Sequence, residues 1–245
     1  MEDYAASAQT LAGGISLSQV IQGFTASIDT LAWVILLYLF ELETYILDDE
    51  KIVGWVKWTM HGIRGVCYIF ILYSFYGYLL RYSLFRSIEP FEIENLCNLI
   101  GSNYTFAVDM DEYVPWTSEI CQSVKGISML QIIDTNVLTT PSQLVEIHRL
   151  SIAETINSGG WILVVFILEL EVWLQLKGKL TPHIVKYSKY LKITLYSILT
   201  LIALYWGVKG DFLDFGDAFL WLVGFFFIEL NIFDWNAETN QANKE

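Results

Sequence analysis

Residues 33–45 read WVILLYLFELETY, an apolar run that is interrupted by two glutamates near its end. Similar stretches recur at residues 161–173, WILVVFILELEVW, and at residues 221–233, WLVGFFFIELNIF. A charged carboxylate inside the hydrocarbon of a bilayer costs about 2.5–3.5 kcal/mol on insertion scales. The recurrence therefore raises the question of whether these acidic positions have a functional role or mark the edge of the membrane.

The composition predicts a membrane protein. The chain has 245 residues, of which 54% are hydrophobic and 16% are aromatic, and its mean hydropathy is +0.45. A transmembrane helix needs about 20 predominantly apolar residues, and unpaired backbone groups in lipid favour helices over open strands. Five windows meet this length: residues 27–47, 63–82, 159–176, 191–208 and 212–233. We therefore predict an all-α integral membrane protein with five transmembrane helices.

The distribution of lysine and arginine predicts the topology. The first 50 residues contain neither, whereas basic residues cluster after the first and third predicted helices. The first group is Lys51, Lys57 and Arg64, and the second is Lys177, Lys179, Lys186, Lys189 and Lys192. Short basic loops stay in the cytoplasm. We expect a multi-pass protein of the plasma or inner membrane, with its N-terminus outside and its C-terminus in the cytoplasm.

The long segment 83–157 is predicted to form a small folded cap outside the cytoplasm. It contains Cys97 and Cys121, which an oxidising compartment would allow to form a disulfide, although two free thiols are the alternative. Cys67 falls in the second predicted helix and is interpreted as a small packing residue. A helix is predicted to start at the TTPSQL sequence, where Thr or Ser can cap it and Pro141 suits the first turn.

An internal repeat relates the three acidic stretches. Each begins with Asp or Asn and has Trp four residues later. Eight residues after the Trp comes Glu-Leu, which is followed by Glu or Asn, by any one residue and by an aromatic residue. The first two copies are 128 residues apart, and the same offset places Arg64 on Lys192 and Tyr68 on Tyr196. This pattern predicts a duplicated two-helix unit, followed by a third half-copy that contains only the first helix. The aromatic residues at both ends of each stretch, Trp33 and Trp161 among them, are expected near the membrane interfaces.

These observations predict five segments of the chain. An extracytoplasmic tail or amphipathic helix (1–26) precedes the first two-helix transmembrane unit (27–82) and the cap (83–157). The second two-helix unit (158–209) and a fifth transmembrane helix with a cytoplasmic tail (210–245) follow.

The candidate functional residues are the recurring glutamates Glu41, Glu169 and Glu229, with Glu43 and Glu171 two positions further on. They could form a cation site, a proton-exchanging cluster or ion pairs with basic residues near the helix ends. Arg64 and Lys192 are the possible charge partners, although such residues often extend to the lipid headgroups instead. Alternatively, the Glu-Leu-Glu sequences simply mark the headgroup boundary. Whether any metal ion binds is left open.

The sequence does not favour an enzyme. It has no nucleophile elbow, no phosphate-binding glycine loop and no histidine spacing typical of metal or haem ligation, so we expect no catalytic residues and no cofactor. The net charge is −13 and no basic patch is present, which argues against nucleic acid as a partner.

Two functions are therefore considered. The first is a channel or transport subunit that handles cations or protons through its intramembrane glutamates. The second is a non-catalytic structural or assembly subunit of a larger membrane complex. The expected partners are the lipid bilayer and either further copies of the chain or other membrane-complex subunits.

Overall fold

A computed structural model describes residues 25–43, 54–110, 112–133 and 135–242. The chain is mostly helical, with a small sheet. The helices are α1 (Thr25–Glu41), α2 (Trp55–Leu84), α3 (Ser118–Ser123), α4 (Pro141–Leu176), α5 (Pro182–Lys209) and α6 (Phe212–Ala242). The strands are β1 (Ile88–Phe91), β2 (Thr105–Ala107), β3 (Tyr113–Pro115), β4 (Met129–Ile132) and β5 (Val137–Thr139), and a 3-10 helix spans Leu96–Leu99.

Three helices, α2, α4 and α5, are long and apolar enough to cross a membrane. Their exposed faces carry large apolar side chains such as Ile69, Phe166 and Leu201, each more than 60% exposed. Such faces suit contact with lipid rather than with water. Length, composition and surface thus agree with the prediction of a helical membrane protein.

The chain divides into two compact units. The first comprises the described residues within Met1–Ser74 and Gly160–Glu245, and the second comprises those within Phe75–Gly159. The first unit therefore contains α1, α5, α6, the N-terminal part of α2 and the C-terminal part of α4. Its core is built from apolar side chains of all five helices, which include Leu36, Phe40, Ile71, Val164, Leu168, Leu199 and Phe225.

Tryptophans of the repeat lie at the centre of the first unit. Trp161 stacks on Phe225 with 4.7 Å between the ring centroids, and Trp33 meets the edges of Phe225 and Trp221 at 6.3 and 6.1 Å. Trp33 and Trp161 are only 8% and 5% exposed. Both side chains therefore pack in the helix core, where they bury a large aromatic surface. The expectation that they lie at the depth of the membrane interfaces stays a prediction.

The helix starts follow capping chemistry. α4 begins at Pro141, and the hydroxyl of Thr140 accepts the backbone N–H of Gln143 at 3.3 Å. α5 begins at Pro182, and its N-cap is Thr181, whose hydroxyl accepts the backbone N–H of Ile184 at 3.4 Å. Proline suits the first turn because its missing N–H would have no partner inside the helix. The helix start predicted at the TTPSQL sequence is thereby confirmed.

The second unit contains a five-stranded sheet in the order β1-β4-β5-β2-β3. All neighbours are antiparallel except β2 and β5, which pair in parallel from Thr105 with Val137 to Phe106 with Leu138. Phe106, Trp116, Met129 and Leu138 form its core. The sheet departs from the all-α prediction. Its strands have only three or four residues, too few to show the alternation that marks a strand in a sequence.

Cys97, in the 3-10 helix, and Cys121, in α3, form a disulfide, and their Cα atoms are 5.2 Å apart. Cys67 is a buried free cysteine in α2. Both placements agree with the interpretation of the sequence.

Two buried charge clusters as the candidate functional site

The first cluster surrounds Arg64, which lies in the N-terminal third of α2. Its Nη2 donates to Oε2 of Glu43, just beyond the end of α1, and its Nη1 lies 3.3 Å from Oε1 of Glu169 in α4. The guanidinium carbon lies 5.1 Å from the ring centroid of buried Phe40, within the range of a cation–π contact. Arg64 is 7% exposed. One buried cation therefore joins three helices.

Tyr68 completes this cluster. It follows Arg64 by one helical turn, so both side chains share a face of α2. Its hydroxyl donates to Oε1 of Glu169 at 2.7 Å. Glu169 therefore receives an ion pair and a hydrogen bond from α2. We call Arg64, Glu43, Glu169 and Tyr68 the Arg64 cluster.

The second cluster surrounds Lys192 in α5. Its Nζ donates to Oε2 of Glu171 in α4 at 2.9 Å and to Oε2 of Glu229 in α6 at 2.7 Å. The hydroxyl of Tyr196, one turn further along α5, lies 3.4 Å from Oε1 of Glu229. Lys192 is 6% exposed. We call these four residues the Lys192 cluster.

The two clusters contain the same kinds of side chain in the same arrangement along the sequence. Each has one cation, two carboxylates on two other helices, and a tyrosine four residues after the cation. If all the ionisable groups except tyrosine are charged, each cluster carries one excess negative charge. Because charge is expensive to bury unless it is compensated, this excess is the chemically significant property of the site.

The solvent exposure of the carboxylate side chains differs between the two clusters. In the Arg64 cluster the side chains of Glu43 and Glu169 are 21% and 28% exposed. In the Lys192 cluster those of Glu171 and Glu229 are 11% and 13% exposed. The carboxylates around Lys192 are therefore better shielded from their surroundings.

The structure brings four of the five predicted glutamates into these clusters. The fifth, Glu41, is the half-buried last residue of α1, and the ion pairs above involve the other four. Glu169 and Glu229 thus lie in different clusters rather than at one common point. Arg64 and Lys192 are buried among carboxylates, so the alternative that they extend to the lipid headgroups does not describe them.

The hydroxyl contacts of Tyr68 and Tyr196 were not predicted. A signal was present, because both tyrosines follow the basic residue by four positions in both copies of the repeat. That spacing places the two side chains on one helix face. The recurrence of the cation and the tyrosine as a pair therefore marks each tyrosine as a candidate second donor to a carboxylate that the cation contacts.

The residues that the structure describes contain no group of three or more His, Cys, Asp or Glu placed to hold a metal ion. His148 instead donates from Nε2 to the carbonyl oxygen of Phe85 at 2.6 Å within the second unit.

Comparison of the chain with protein-family models, with curated proteins and with solved structures found no match. Inference about function therefore starts from the chemistry of the two clusters.

Proposed function

We propose that the chain is a multi-pass membrane protein that takes up protons or small cations at its intramembrane glutamates, as a channel or a subunit of a transport system. The observation that supports this is the sharing of one cation by two carboxylates in each cluster. A proton or a monovalent cation would neutralise the remaining charge. The clusters are thus chemically suited to reversible uptake.

The proposal includes five transmembrane helices, α1, α2, α4, α5 and α6, built from a duplicated two-helix unit and a third half-copy. Burial supports the duplication. Four of the five buried positions of α2 are Arg64, Cys67, Ile71 and Ser74, and their counterparts 128 residues later in α5, Lys192, Leu195, Leu199 and Ile202, are buried too. The fifth, Met60, corresponds to the half-buried Ser188. Copies of one unit are expected to bury the same face.

The pairing of charges supports it as well. Each cation contacts the second glutamate of its own unit, Glu43 or Glu171. It also contacts the first glutamate of the next copy, Glu169 or Glu229. In this scheme α6, as the third half-copy, completes the Lys192 cluster.

The alternative function is a structural subunit of a membrane complex. The observation in its favour is that each cation contacts carboxylates from two other helices, so both clusters would hold helices together without exchanging any ion. Under this alternative, removal of a carboxylate weakens the fold but changes no transport activity.

Reconstitution into sealed liposomes separates the two functions. A pH-sensitive dye trapped inside would report proton uptake driven by an imposed potential, and substitution of the external salt would distinguish protons from sodium or potassium. We expect uptake by the wild-type protein and its loss in the double variant with Glu169→Gln and Glu229→Gln. The matched control is Glu119→Gln, an exposed carboxylate in α3.

Uptake that is equal in the wild type, the control and the double variant would exclude the clusters as the path. No uptake by folded wild-type protein, together with a lower unfolding temperature of the double variant, would instead favour the structural subunit.

A further inference from the structure

We infer that the exchangeable proton is held by the Lys192 cluster, and that the Arg64 cluster is a permanently charged anchor between helices. This inference rests on the proposed function, since it names the ion and assigns its uptake to one of the two clusters.

The first argument is the geometry around each cation. Arg64 reaches its two carboxylates through different nitrogens, Nη2 for Glu43 and Nη1 for Glu169. Lys192 has a single Nζ, which lies 2.9 Å from Glu171 and 2.7 Å from Glu229. The two carboxylate oxygens can be no farther apart than the sum of these distances, 5.6 Å. Two carboxylates this close in a shielded place repel each other, and one shared proton relieves the repulsion.

The second argument is the chemistry of the cation. A guanidinium offers five N–H donors and spreads its charge over a plane, so it can satisfy two carboxylates at once, whereas an ammonium is a compact charge with three donors. Arg64 is held further by its contact with the ring of Phe40. The Arg64 cluster therefore compensates its carboxylates better.

The third argument is exposure. The carboxylates around Lys192 are 11% and 13% exposed, about half the exposure of those around Arg64. Excess charge is least favourable where it is least solvated. All three arguments point to the same cluster.

The step itself is simple. A proton from a hydronium ion forms an O–H bond to one oxygen of the Glu171–Glu229 pair and leaves a water molecule behind, so that the pair carries one negative charge beside the Lys192 ammonium. Lys192 keeps its proton throughout, and release is the reverse of uptake. Among the described residues, Glu171 from α4 and Glu229 from α6 lie against Lys192, and Tyr196 on α5 lies against Glu229. We assign the proton to the glutamate pair rather than to either member.

Infrared absorption of protonated carboxyl groups, followed across pH in the full-length purified protein, tests the inference. Exposed carboxyls are ionised near neutral pH, so a protonated band there reports a shielded one. We expect this band in the wild type, its loss in E171Q and E229Q, and its retention in E43Q and E169Q. Loss in the second pair with retention in the first would overturn the inference.

Because a glutamate variant could fail to fold, a second pair of variants exchanges one basic residue for the other. K192R and R64K both keep a cation at the centre of the cluster. We expect K192R to lose the neutral-pH band and R64K to retain it, and the opposite result would assign the proton to Arg64's carboxylates. Absence of the band from the folded wild-type protein would also overturn the inference.

The same variants in liposomes separate the two proposals. Proton uptake that is lost in R64K and E169Q but kept in K192R and E229Q would refute the assignment and leave the proposed function intact. Absence of uptake by the wild type would refute the proposed function, while the infrared band would still decide whether the pair holds a proton.

Discussion

The hydroxyl of Tyr68 lies 2.7 Å from Oε1 of Glu169, although 101 residues separate the two in the sequence. The corresponding contact of the second cluster, from Tyr196 to Glu229, is longer at 3.4 Å. Hydrogen bonds to charged groups are strong when short and weaken with distance. Tyr68 is therefore a firmer support for its carboxylate than Tyr196.

Tyr68→Phe removes this donor without changing the size of the ring. We expect it to lower the free energy of unfolding by about 1.5–3 kcal/mol, the usual contribution of a hydrogen bond to a charged group. Tyr196→Phe should cost less, because its contact is longer. Thermal unfolding in detergent would measure both, and Tyr73→Phe, an exposed position on α2, is the control. An equal effect of all three variants would contradict the ranking.

Arg64→Met and Lys192→Met each leave two partly or fully buried carboxylates without the cation that the structure places between them. Breaking a buried ion pair by removing one partner costs about 3–5 kcal/mol. Lys186→Met, an exposed lysine on α5, should have little effect. If the loss reflects uncompensated charge, then adding Glu171→Gln and Glu229→Gln to Lys192→Met should recover part of the unfolding free energy.

Gly160 permits the close approach of α4 and α5. A Cβ atom at this position would lie 2.9 Å from Cδ2 of Leu199, which is 1% exposed in the core. Gly160→Val should therefore overpack the core at a cost of about 1–3 kcal/mol. Gly65→Val on α2 meets no atom within 4 Å and carries a similar backbone penalty, so the difference in unfolding temperature between the two variants isolates the packing effect.

The disulfide between Cys97 and Cys121 closes a loop with a sequence separation of 24 residues. Alkylation without reduction should modify at most one cysteine, Cys67, and reduction under denaturing conditions should expose all three. Intact mass spectrometry would count them, and three alkylated cysteines before reduction would exclude the bridge. Replacing both bonded cysteines by serine should destabilise the second unit by about 3 kcal/mol in the chain-entropy model.

The proposed topology places Asn103 outside the cytoplasm and Lys179 in the cytoplasm. In a Cys67→Ser background, Asn103→Cys should react with an impermeant maleimide added outside intact cells, whereas Lys179→Cys should react only after the membrane is opened. Both positions are exposed, so access within the fold is not limiting. Labelling of both from the same side would contradict the arrangement of five transmembrane helices.

The apolar windows were sufficient to predict α2, α4 and α5 as helices long enough to cross a membrane, because a run of about 20 apolar residues has few other stable arrangements. The sheet could not be predicted in the same way. β1 and β3 contain Pro90 and Pro115, and proline lowers the expectation of a strand. These short segments acquire strand geometry from their neighbours, such as the pairing of β1 with β4, and that pairing depends on contacts distant in sequence.

Prediction of the clusters was limited for a related reason. The repeat drew attention to Arg64 and Lys192 as a matched pair, and it drew attention to the glutamates. Periodicity along one helix shows which residues share a face, but it does not show which helix that face meets. The assignment of Glu169 to Arg64 and of Glu171 to Lys192 needs the packing of three helices, which a single sequence does not contain.

Helix α4 is common to both clusters, since it carries Glu169 to Arg64 and Glu171 to Lys192. Two positions along a helix are separated by about 200° around its axis, so the two side chains leave α4 on nearly opposite sides. A twist of α4 about its long axis therefore displaces both carboxylates together, in nearly opposite directions. This geometry predicts mechanical coupling between the two sites: rotation of α4 that opens one ion pair should also strain the other.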